Sequence, residues 1–303
     1  MLAVAACGTT EAPKEQSTGA DIKVTDSRGE QTLPGPAKRV VALEWGLVEN
    51  LLTLGVTPVG IADIKQYNVW VSAEPAPTSV KDVGLREEVS LDAVAGLDPD
   101  LILATTSGAC GKPLPQFEKI ADVLCFDGTD PNGNLQHMRD QFTAVAKSVG
   151  KGAEGDKVLA DFDAKLADGK QKIADAGLAG TKLAGAHGWT DQGAPVVRMF
   201  GKRSLGSDVA EEMGLENAWT GKSDDWGLAM TDVEGLTKIG DAQFYYIAPV
   251  DNIFETKLPK NRIWQNLSFV KKDQVHKLDG GTWLFGGPAS TSQFVDELVA
   301  ALT

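Results

Sequence analysis

The sequence predicts an α/β protein of two lobes joined by a single long α-helix. Between residues 154 and 176, apolar side chains at Leu159, Phe162, Leu166 and Ile173 fall at helical spacing, with Asp and Lys between them. This pattern is typical of an amphipathic helix with one apolar stripe. The regions before and after it are of similar size, and each alternates short β-rich runs with helical runs. A surface helix within one domain fits the periodicity equally well. The prediction of two lobes therefore depends on the alternating β-rich and helical runs on both sides of this helix.

The first lobe is placed at residues 21–150. Ser90 precedes an apolar periodic run and is predicted to cap a helix. Residues 67–81 are rich in Pro and Ser, which predicts a long loop. The other predicted elements are strands at 39–43, 58–62, 100–104 and 123–126, helices at 48–54, 91–97 and 135–149, and a short helix ending at 120.

The joining helix is placed at residues 151–178 and the second lobe at 179–303. Thr231 and Glu234 have the spacing of a capping box, which predicts a helix after Thr231. Residues 90–103 and 231–247 both resemble a capped helix followed by an apolar strand, a faint repeat that favours two similar lobes. The other predicted elements are strands at 183–186, 196–200, 244–248 and 275–278, a helix after Ser204 and a closing helix at 292–302.

Composition narrows the classes of function. The chain has 303 residues, of which 42% are hydrophobic and 23% charged, as in a globular protein. Its formal net charge of −13 argues against nucleic-acid binding, which needs a basic surface. No run approaches the eighteen apolar residues of a membrane-spanning helix.

The first residues resemble the end of a bacterial lipoprotein signal. Val4 to Cys7 has the form of a lipobox, and cleavage before Cys7 would leave its thiol to carry lipid. Residues 1–20 are therefore interpreted as a signal remnant and a polar tether. A chance Ala-rich terminus is the alternative. Exported proteins can hold disulfides, and Cys110 and Cys125 are the remaining cysteines, so we weigh a bond between them against two free thiols.

Signals for an enzyme or a metal site are weak. There is no phosphate-binding loop, no nucleophile elbow and no dinucleotide fingerprint after a strand. His137, His187 and His276 are spread over three predicted elements, whereas a transition-metal site needs clustered ligands. We therefore predict no catalytic residues, no metal site and no cofactor.

Aromatic and cationic residues in predicted loops favour a binding pocket instead. Trp70, Trp226 and Trp283 lie beside glycines or in loop sequence. Ligands of open α/β sheets bind at the loops beyond the strand ends, and aromatic walls commonly line small-molecule pockets. Ordinary packing is the alternative for each Trp, and pairing with Glu87 or another carboxylate is the alternative for Arg86.

Several stretches carry a more specific signal. They are RVVALEW (39–45), LLTLGVTPVGIAD (51–63), DVGLR (82–86), PDLIL (99–103), NAWTG (217–221), DWG (225–227) and WLFG (283–286). They resemble the iron-siderophore substrate-binding proteins of ABC importers, most closely the ferric-hydroxamate-binding (FhuD-like) family. The resemblance covers the chain from about residue 21 to its end. It implies two Rossmann-like lobes bridged by one helix, the class III or helical-backbone periplasmic binding architecture, with a shallow cleft between them.

The resemblance also implies site residues. Trp70, Arg86, Trp226 and Trp283 match positions that line the hydroxamate site, and Arg86 is expected to donate to the iron-bound hydroxamate oxygens. Those oxygens carry negative charge, and Arg offers a fixed fork of donors that stays protonated.

Two further positions in the cleft are less like the family pattern. Cys110 stands where that pattern has a tyrosine, which is a departure. Arg198 stands where other siderophore binders carry a cleft Arg, with a surface Arg at a strand end as the alternative.

The resemblance also implies one acidic residue at the tip of each lobe that docks onto arginines of the permease. By position these are Glu88 and Asp208, with Glu212 one turn further on as a substitute for Asp208. The alternative is that they are solvated carboxylates at helix starts, which the helix dipole favours.

The sequence is accordingly interpreted as a monomeric, lipid-anchored extracytoplasmic binding protein, attached to the outer face of the cytoplasmic membrane only through lipid on Cys7. It is expected to capture a ferric hydroxamate siderophore, which itself holds the iron, and to pass it to an ABC permease. Rivals within the fold are binders of catecholate siderophores, haem or corrinoids. A metal-dependent hydrolase or reductase is the rival from another class.

Overall fold

The computed structural model of the protein describes residues 20–303, and a parallel sheet forms from the chain before the long helix. The strands of this region are β1 (Ile22–Asp26), β2 (Gly29–Leu33), β3 (Val40–Ala42), β4 (Gly60–Ile61), β5 (Lys81–Asp82), β6 (Gly84–Leu85), β7 (Glu88–Val89), β8 (Leu101–Thr105) and β9 (Asp122–Phe126). Five of them lie parallel in the order β5–β4–β3–β8–β9. β8 is buried at every residue, as a strand covered on both faces requires. β1 with β2 and β6 with β7 form separate antiparallel hairpins.

Helices cover this sheet, and side chains at their starts explain where they begin. The helices are α1 (Trp45–Thr53), α2 (Ile64–Trp70), α3 (Leu91–Ala95), α4 (Leu114–Phe117) and α5 (Asn134–Ser148). Ser90 Oγ accepts a hydrogen bond from Ala93 N at 3.2 Å, which confirms the predicted cap of α3. Glu44 Oε1 accepts one from Trp45 N at 2.9 Å at the start of α1.

The long helix α6 runs from Gly152 to Asp175 and packs on both halves of the molecule. Its 24 residues correspond to roughly 36 Å at 1.5 Å per residue. Val158 and Leu159 pack against the core of the first sheet, whereas Phe162 and Leu166 are buried in the core beneath the second sheet. One apolar stripe therefore serves two cores.

The second sheet is mixed and forms from the chain after α6. Its strands are β10 (Lys182–Asp191), β11 (Ala194–Phe200), β12 (Glu216–Asn217), β13 (Leu228–Thr231), β14 (Gln243–Ile247) and β15 (Val275–Lys277). They lie in the order β13–β11–β10–β14–β15, with β12 also beside β10. β11 is antiparallel to its neighbours β10 and β13, and β14 is parallel to β10 and β15. The helices here are α7 (Leu205–Glu212), α8 (Ile253–Thr256), α9 (Arg262–Asn266), α10 (Ser268–Lys271) and α11 (Pro288–Leu302).

Three local predictions were wrong or incomplete, and one hairpin was missed. α2 extends to Trp70, so the predicted loop 67–81 begins with helix. The hairpin of β1 and β2 was not anticipated, because only Val24, Asp26 and Leu33 of its residues are buried and the apolar signal is short. β10 continues to Asp191, well beyond residue 186.

The predicted helix after Thr231 is also absent from its expected place. Thr231 ends β13 and pairs with Val197, so it belongs to the sheet and does not cap a helix. The chain then turns at Asp232, whose carboxylate accepts from Gly235 N at 2.9 Å, and forms only a 3-10 turn over Gly235–Lys238. The repeat between residues 90–103 and 231–247 therefore extends to the strands but not to the helices.

Two carboxylates connect the halves, because each accepts hydrogen bonds from the start of a helix in the other half. Glu49 of α1 accepts hydrogen bonds from Gly287 N, Ser290 N and Ser290 Oγ at the start of α11, at 3.1, 2.8 and 2.7 Å. Asp208 of α7 accepts from Asn134 N and Leu135 N at the start of α5, at 2.7 and 3.1 Å. Each carboxylate meets free backbone N–H groups and the positive end of a helix dipole.

Candidate functional site

A cavity of about 370 Å³ opens between the two sheets. From the first sheet it takes residues at and beyond the carboxyl ends of β3, β8 and β9, which is where open α/β sheets bind ligands. From the second half it takes residues of β11 and β13 and of two loops. The lining residues are Leu43, Glu44, Gly46, Arg86, Glu87, Thr105, Ser107, Gly108, Ala109, Gly128, Gln141, Arg198, Trp226, Leu228, Trp283 and Phe285.

Arg86 reaches the cavity from a tight turn. It lies with Glu87 between β6 and β7, whose antiparallel pairing leaves these two residues as the connection. Its Nη1 donates to Glu44 Oε1 at 2.7 Å, and its guanidinium carbon lies 3.9 Å from the centre of the Trp45 ring. Glu87 is a more distant partner, 4.0 Å from Nη2. The carboxylate and the ring face hold the guanidinium in place.

Arg198 enters from the opposite side and has a neutral partner. It lies on β11 directly across from His187 of β10, and its Nη2 is 2.8 Å from His187 Nδ1. Burial lowers the pKa of His187 well below its usual value, and the charge of Arg198 lowers it further. The imidazole is therefore neutral, so Nδ1 accepts the hydrogen bond and Nε2 carries the proton.

The charge of Arg198 is less well compensated than that of Arg86. Within residues 20–303 no carboxylate forms an ion pair with Arg198, and its buried Nε has no hydrogen-bond partner. Burial lowers the pKa of this guanidinium, and the more distant Asp224 opposes that effect. The rings of Trp189 and Phe285 each lie 5.5 Å from the guanidinium carbon. An unsatisfied cation beside a cavity is a place for a ligand oxygen.

Aromatic rings form one wall of the cavity. Phe285 is the centre of the cluster, with Trp283 at 4.9 Å and Trp226 at 5.9 Å between ring centroids. Trp226 is presented by a turn in which Asp224 Oδ1 accepts from Trp226 N and Leu228 N. The turn needs glycine at 227, where φ is +73°. Across the cavity a Cβ on Gly128 would collide with the Trp226 ring, so glycine there lets the ring approach.

The architecture and the cavity match a known family. A family described as periplasmic binding protein matches residues 40–281. The chain belongs to this family. Members of this family bind substrates, which makes the cavity between the two sheets the candidate binding site.

Relatives of this periplasmic binding protein are similar along most of their length. It is 28% identical over 268 residues to the iron(3+)-hydroxamate-binding protein FhuD of Escherichia coli (strain K12), covering 87% of this chain and 86% of that one. It is 30% identical over 288 residues to YhfQ of Bacillus subtilis (strain 168), which carries the name of an ABC transporter substrate-binding lipoprotein, covering 92% and 87%. The structure of Vibrio cholerae FhuD bound to Fe³⁺-Desferal superposes with a TM-score of 0.78 at 26% identity, covering 88% and 97%.

Four of the six predicted ligand-binding residues line the cavity of this periplasmic binding protein. They are Arg86, Arg198, Trp226 and Trp283. Trp70 lies behind that wall at the end of α2, with its ring 5.8 Å from Trp283 and 5.6 Å from His187. Cys110 also stands back from the cavity.

A disulfide bond holds Cys110 away from the cavity. It forms a disulfide with Cys125, with Cα atoms 5.7 Å apart, so of the two states left open the bonded one is present. The bond joins the loop after β8 to β9, and the neighbouring Gly108 and Ala109 reach the cavity instead. The disulfide thus fixes one wall of the site without contributing a surface to it.

The predicted docking residues differ in their surroundings. Glu88 is exposed at the start of β7. Asp208 is half-buried, and its carboxylate accepts hydrogen bonds from the start of α5. The carboxylate therefore stabilises the fold. Glu212, the substitute, is exposed at the end of α7. Cys7 lies outside the described residues.

Residues 20–303 contain no group of three or more His, Cys, Asp or Glu side chains that could hold a metal ion, and none of their helices is long and apolar enough to cross a membrane. Each histidine instead has a local partner. His137 Nε2 is 2.8 Å from Asp127 O, and His276 Nε2 is 2.6 Å from Gln243 Oε1. His187 bonds Arg198.

Sequence reasoning missed three neighbours of the predicted site residues: Glu44 and Phe285, which line the cavity, and His187, which is buried behind it. Glu44 holds Arg86, His187 holds Arg198, and Phe285 joins Trp226 to Trp283. Glu44 lies two residues after the end of β3, and Phe285 lies inside the stretch WLFG. A position just beyond a strand end and a place in a matched motif were therefore the available signals. His187 has no such local signal, because only strand pairing brings it to Arg198.

Proposed function

We propose that this protein captures a ferric hydroxamate siderophore outside the cytoplasm and delivers it to an ABC permease. The observation that supports this most directly is Arg198, a half-buried guanidinium with a neutral partner and an unsatisfied Nε beside an aromatic-walled cavity. The hydroxamate-binding names of the Escherichia coli and Vibrio cholerae relatives support the ligand class.

The chemistry of the cavity suits such a ligand. Hydroxamate oxygens around Fe³⁺ keep partial negative charge, and Arg86 and Arg198 offer charged donors from opposite sides. Trp226, Trp283 and Phe285 provide apolar surface for the organic scaffold of the siderophore. The siderophore supplies all the iron ligands, so the protein needs no metal-binding cluster.

Delivery uses a different surface from capture. We propose Glu88 in the first lobe, residues 21–150, and Glu212 in the second, residues 179–303, as the docking carboxylates, because both are exposed. Glu212 replaces Asp208, whose carboxylate caps α5. Lipid on Cys7, with residues 8–20 as the tether, would hold the protein near its permease, and the lipoprotein name of YhfQ supports this anchoring.

A titration of the purified protein with ferric siderophores tests the ligand. Trp226 and Trp283 line the cavity, so a coloured ferric trihydroxamate should quench intrinsic fluorescence on binding, and it should raise the melting temperature by mass action. The iron-free siderophore at the same concentration is the control. Saturable binding of a ferric trihydroxamate supports the proposal, and binding of haem or a corrinoid alone would overturn it.

A further inference from the structure

Glu44 places a carboxylate in the wall of the binding cavity, facing one of its two arginines. Its Oε1 is 2.7 Å from Arg86 Nη1. The Glu44 side chain is 28% exposed and that of Arg86 is 26% exposed, so both charges are partly withdrawn from water. An ion pair in this setting is screened less than a surface pair. Glu44 therefore compensates the charge of Arg86 at short range.

The two arginines consequently present different electrostatic faces. Arg86 is neutralised by Glu44, whereas Arg198 bonds a neutral imidazole and keeps its charge. The charged lining residues are two arginines, Arg86 and Arg198, and two glutamates, Glu44 and Glu87, so the lining carries no formal net charge. The cavity thus offers a ligand strong hydrogen-bond donors, but its lining has no net positive charge.

We propose that Glu44 is a specificity-determining residue that favours ferric chelates of low net charge over anionic ones. This inference rests on the proposed function, since it concerns which ferric chelate the cavity selects. Three hydroxamates balance the charge of Fe³⁺, so their complex is neutral or carries only the charge of a side group. Catecholate and citrate complexes of Fe³⁺ are anionic, and Glu44 repels them while it weakens the attraction of Arg86.

Replacement of Glu44 by Gln isolates the charge. The glutamine oxygen can still accept from Trp45 N and from Arg86, so the start of α1 and the place of the guanidinium are retained. The lining would then carry one positive charge. The control is Glu118→Gln, which removes the same charge from another Glu–Arg pair, 3.0 Å from Arg28 and away from the cavity.

The experiment measures dissociation constants of wild type, Glu44→Gln and Glu118→Gln for ferrichrome, a neutral trihydroxamate, and for ferric citrate, at low and at high salt. We expect wild type to prefer ferrichrome. Glu44→Gln should shift the preference toward ferric citrate by about fivefold or more at low salt, and less at high salt, because one unit charge at contact distance is worth at least ~1 kcal/mol. Glu118→Gln should leave the preference at the wild-type value.

The outcomes distinguish a failure of the role proposed for Glu44 from a failure of the proposed siderophore binding. Wild type that binds ferrichrome, with an unchanged preference in Glu44→Gln, overturns the role of Glu44 and leaves the proposed function standing. Wild type that prefers ferric citrate also overturns it. Wild type that binds neither chelate overturns both. Should Glu44→Gln not fold, the comparison of Arg86→Gln with the double variant Glu44→Gln/Arg86→Gln carries the test, because the two differ only in the Glu44 charge. The double variant should shift the preference toward ferric citrate relative to Arg86→Gln, and an unchanged preference overturns the role of Glu44.

Discussion

Arg86 and Arg198 reach the same cavity from opposite sides, but they differ in what they can offer a ligand. Arg86 already donates to a carboxylate, whereas Arg198 donates to the neutral His187. A buried donor without a partner costs free energy, and this applies to Nε of Arg198. That atom is closed off from solvent, so a ligand oxygen would gain its charge-assisted hydrogen bond from the rest of this uncompensated guanidinium. Arg198 is therefore expected to contribute more to affinity than a surface arginine does.

The first prediction is that Arg198→Met weakens binding of a ferric trihydroxamate by about thirtyfold, from the loss of roughly 2 kcal/mol of charged hydrogen bonding. Met fills similar space without a charge. Titration by fluorescence quenching checks it, with the exposed Arg262→Met as the matched control. Wild-type affinity in Arg198→Met, in a protein that melts as wild type does, would remove Arg198 from the site.

At the scale of elements, α1 and α11 are joined through one buried acid. Glu49 is fully buried, and burial raises its pKa to about 7, although the hydrogen bonds from Ser290 and Gly287 oppose the shift. In the unfolded chain the same carboxyl group ionises near 4.5. The folded state therefore binds more protons than the unfolded state between these two pH values.

From this follows a prediction for stability against pH. The free energy of unfolding should fall as pH rises from about 4.5 to about 7, because the proton on Glu49 must be lost from a buried site. At about 1.4 kcal/mol per pKa unit the loss is at most ~3.5 kcal/mol. Glu49→Gln cannot titrate and should lose this part of the pH dependence.

Urea denaturation at several pH values measures the effect. Glu118→Gln, which removes an exposed carboxylate, is the control and should keep the wild-type slope. If Glu49→Gln shows the same fall in stability between pH 4.5 and 7 as wild type, the titrating group lies elsewhere.

At the scale of the whole molecule, several separate ties hold the cavity walls. Helix α6 packs on both cores, Glu49 and Asp208 cap helices across the two halves, and the disulfide closes a loop of the first half. A loop of this length constrains the unfolded chain by about 3 kcal/mol in the chain-entropy account. The cavity lies between these ties, so its walls are fixed from several sides.

Reversing charges far from the cavity should reduce cellular uptake of the siderophore without changing its affinity for the protein. Glu88→Lys and Glu212→Lys are expected to leave siderophore affinity unchanged, because neither residue lines the cavity. Each should reduce uptake of the radiolabelled ferric siderophore by cells, and the double variant should reduce it more. Charge reversal at the exposed Glu154 is the control. Normal uptake with the double variant would show that docking uses other residues.

Prediction from sequence succeeded where the signal is local. The stripe of Phe162 and Leu166 indicated α6, Ser90 indicated the start of α3, and runs of buried apolar residues indicated most strands. The motifs that hold Arg86 and Trp226 pointed to residues that line the cavity. These features depend on neighbouring residues along the chain, which is why periodicity and motifs contain them.

The sequence by itself determined the α/β class, the joining helix and the family of this protein, because each depends on short-range pattern or on matched stretches. Only the tertiary structure decided the partners of the charged groups. His187 meets Arg198 through the register of β10 and β11, Glu44 meets Arg86 across 42 residues, and Glu49 meets Ser290 across 241. Burial at those meetings sets the protonation of His187 and Glu49, and burial exists only once distant segments have packed together.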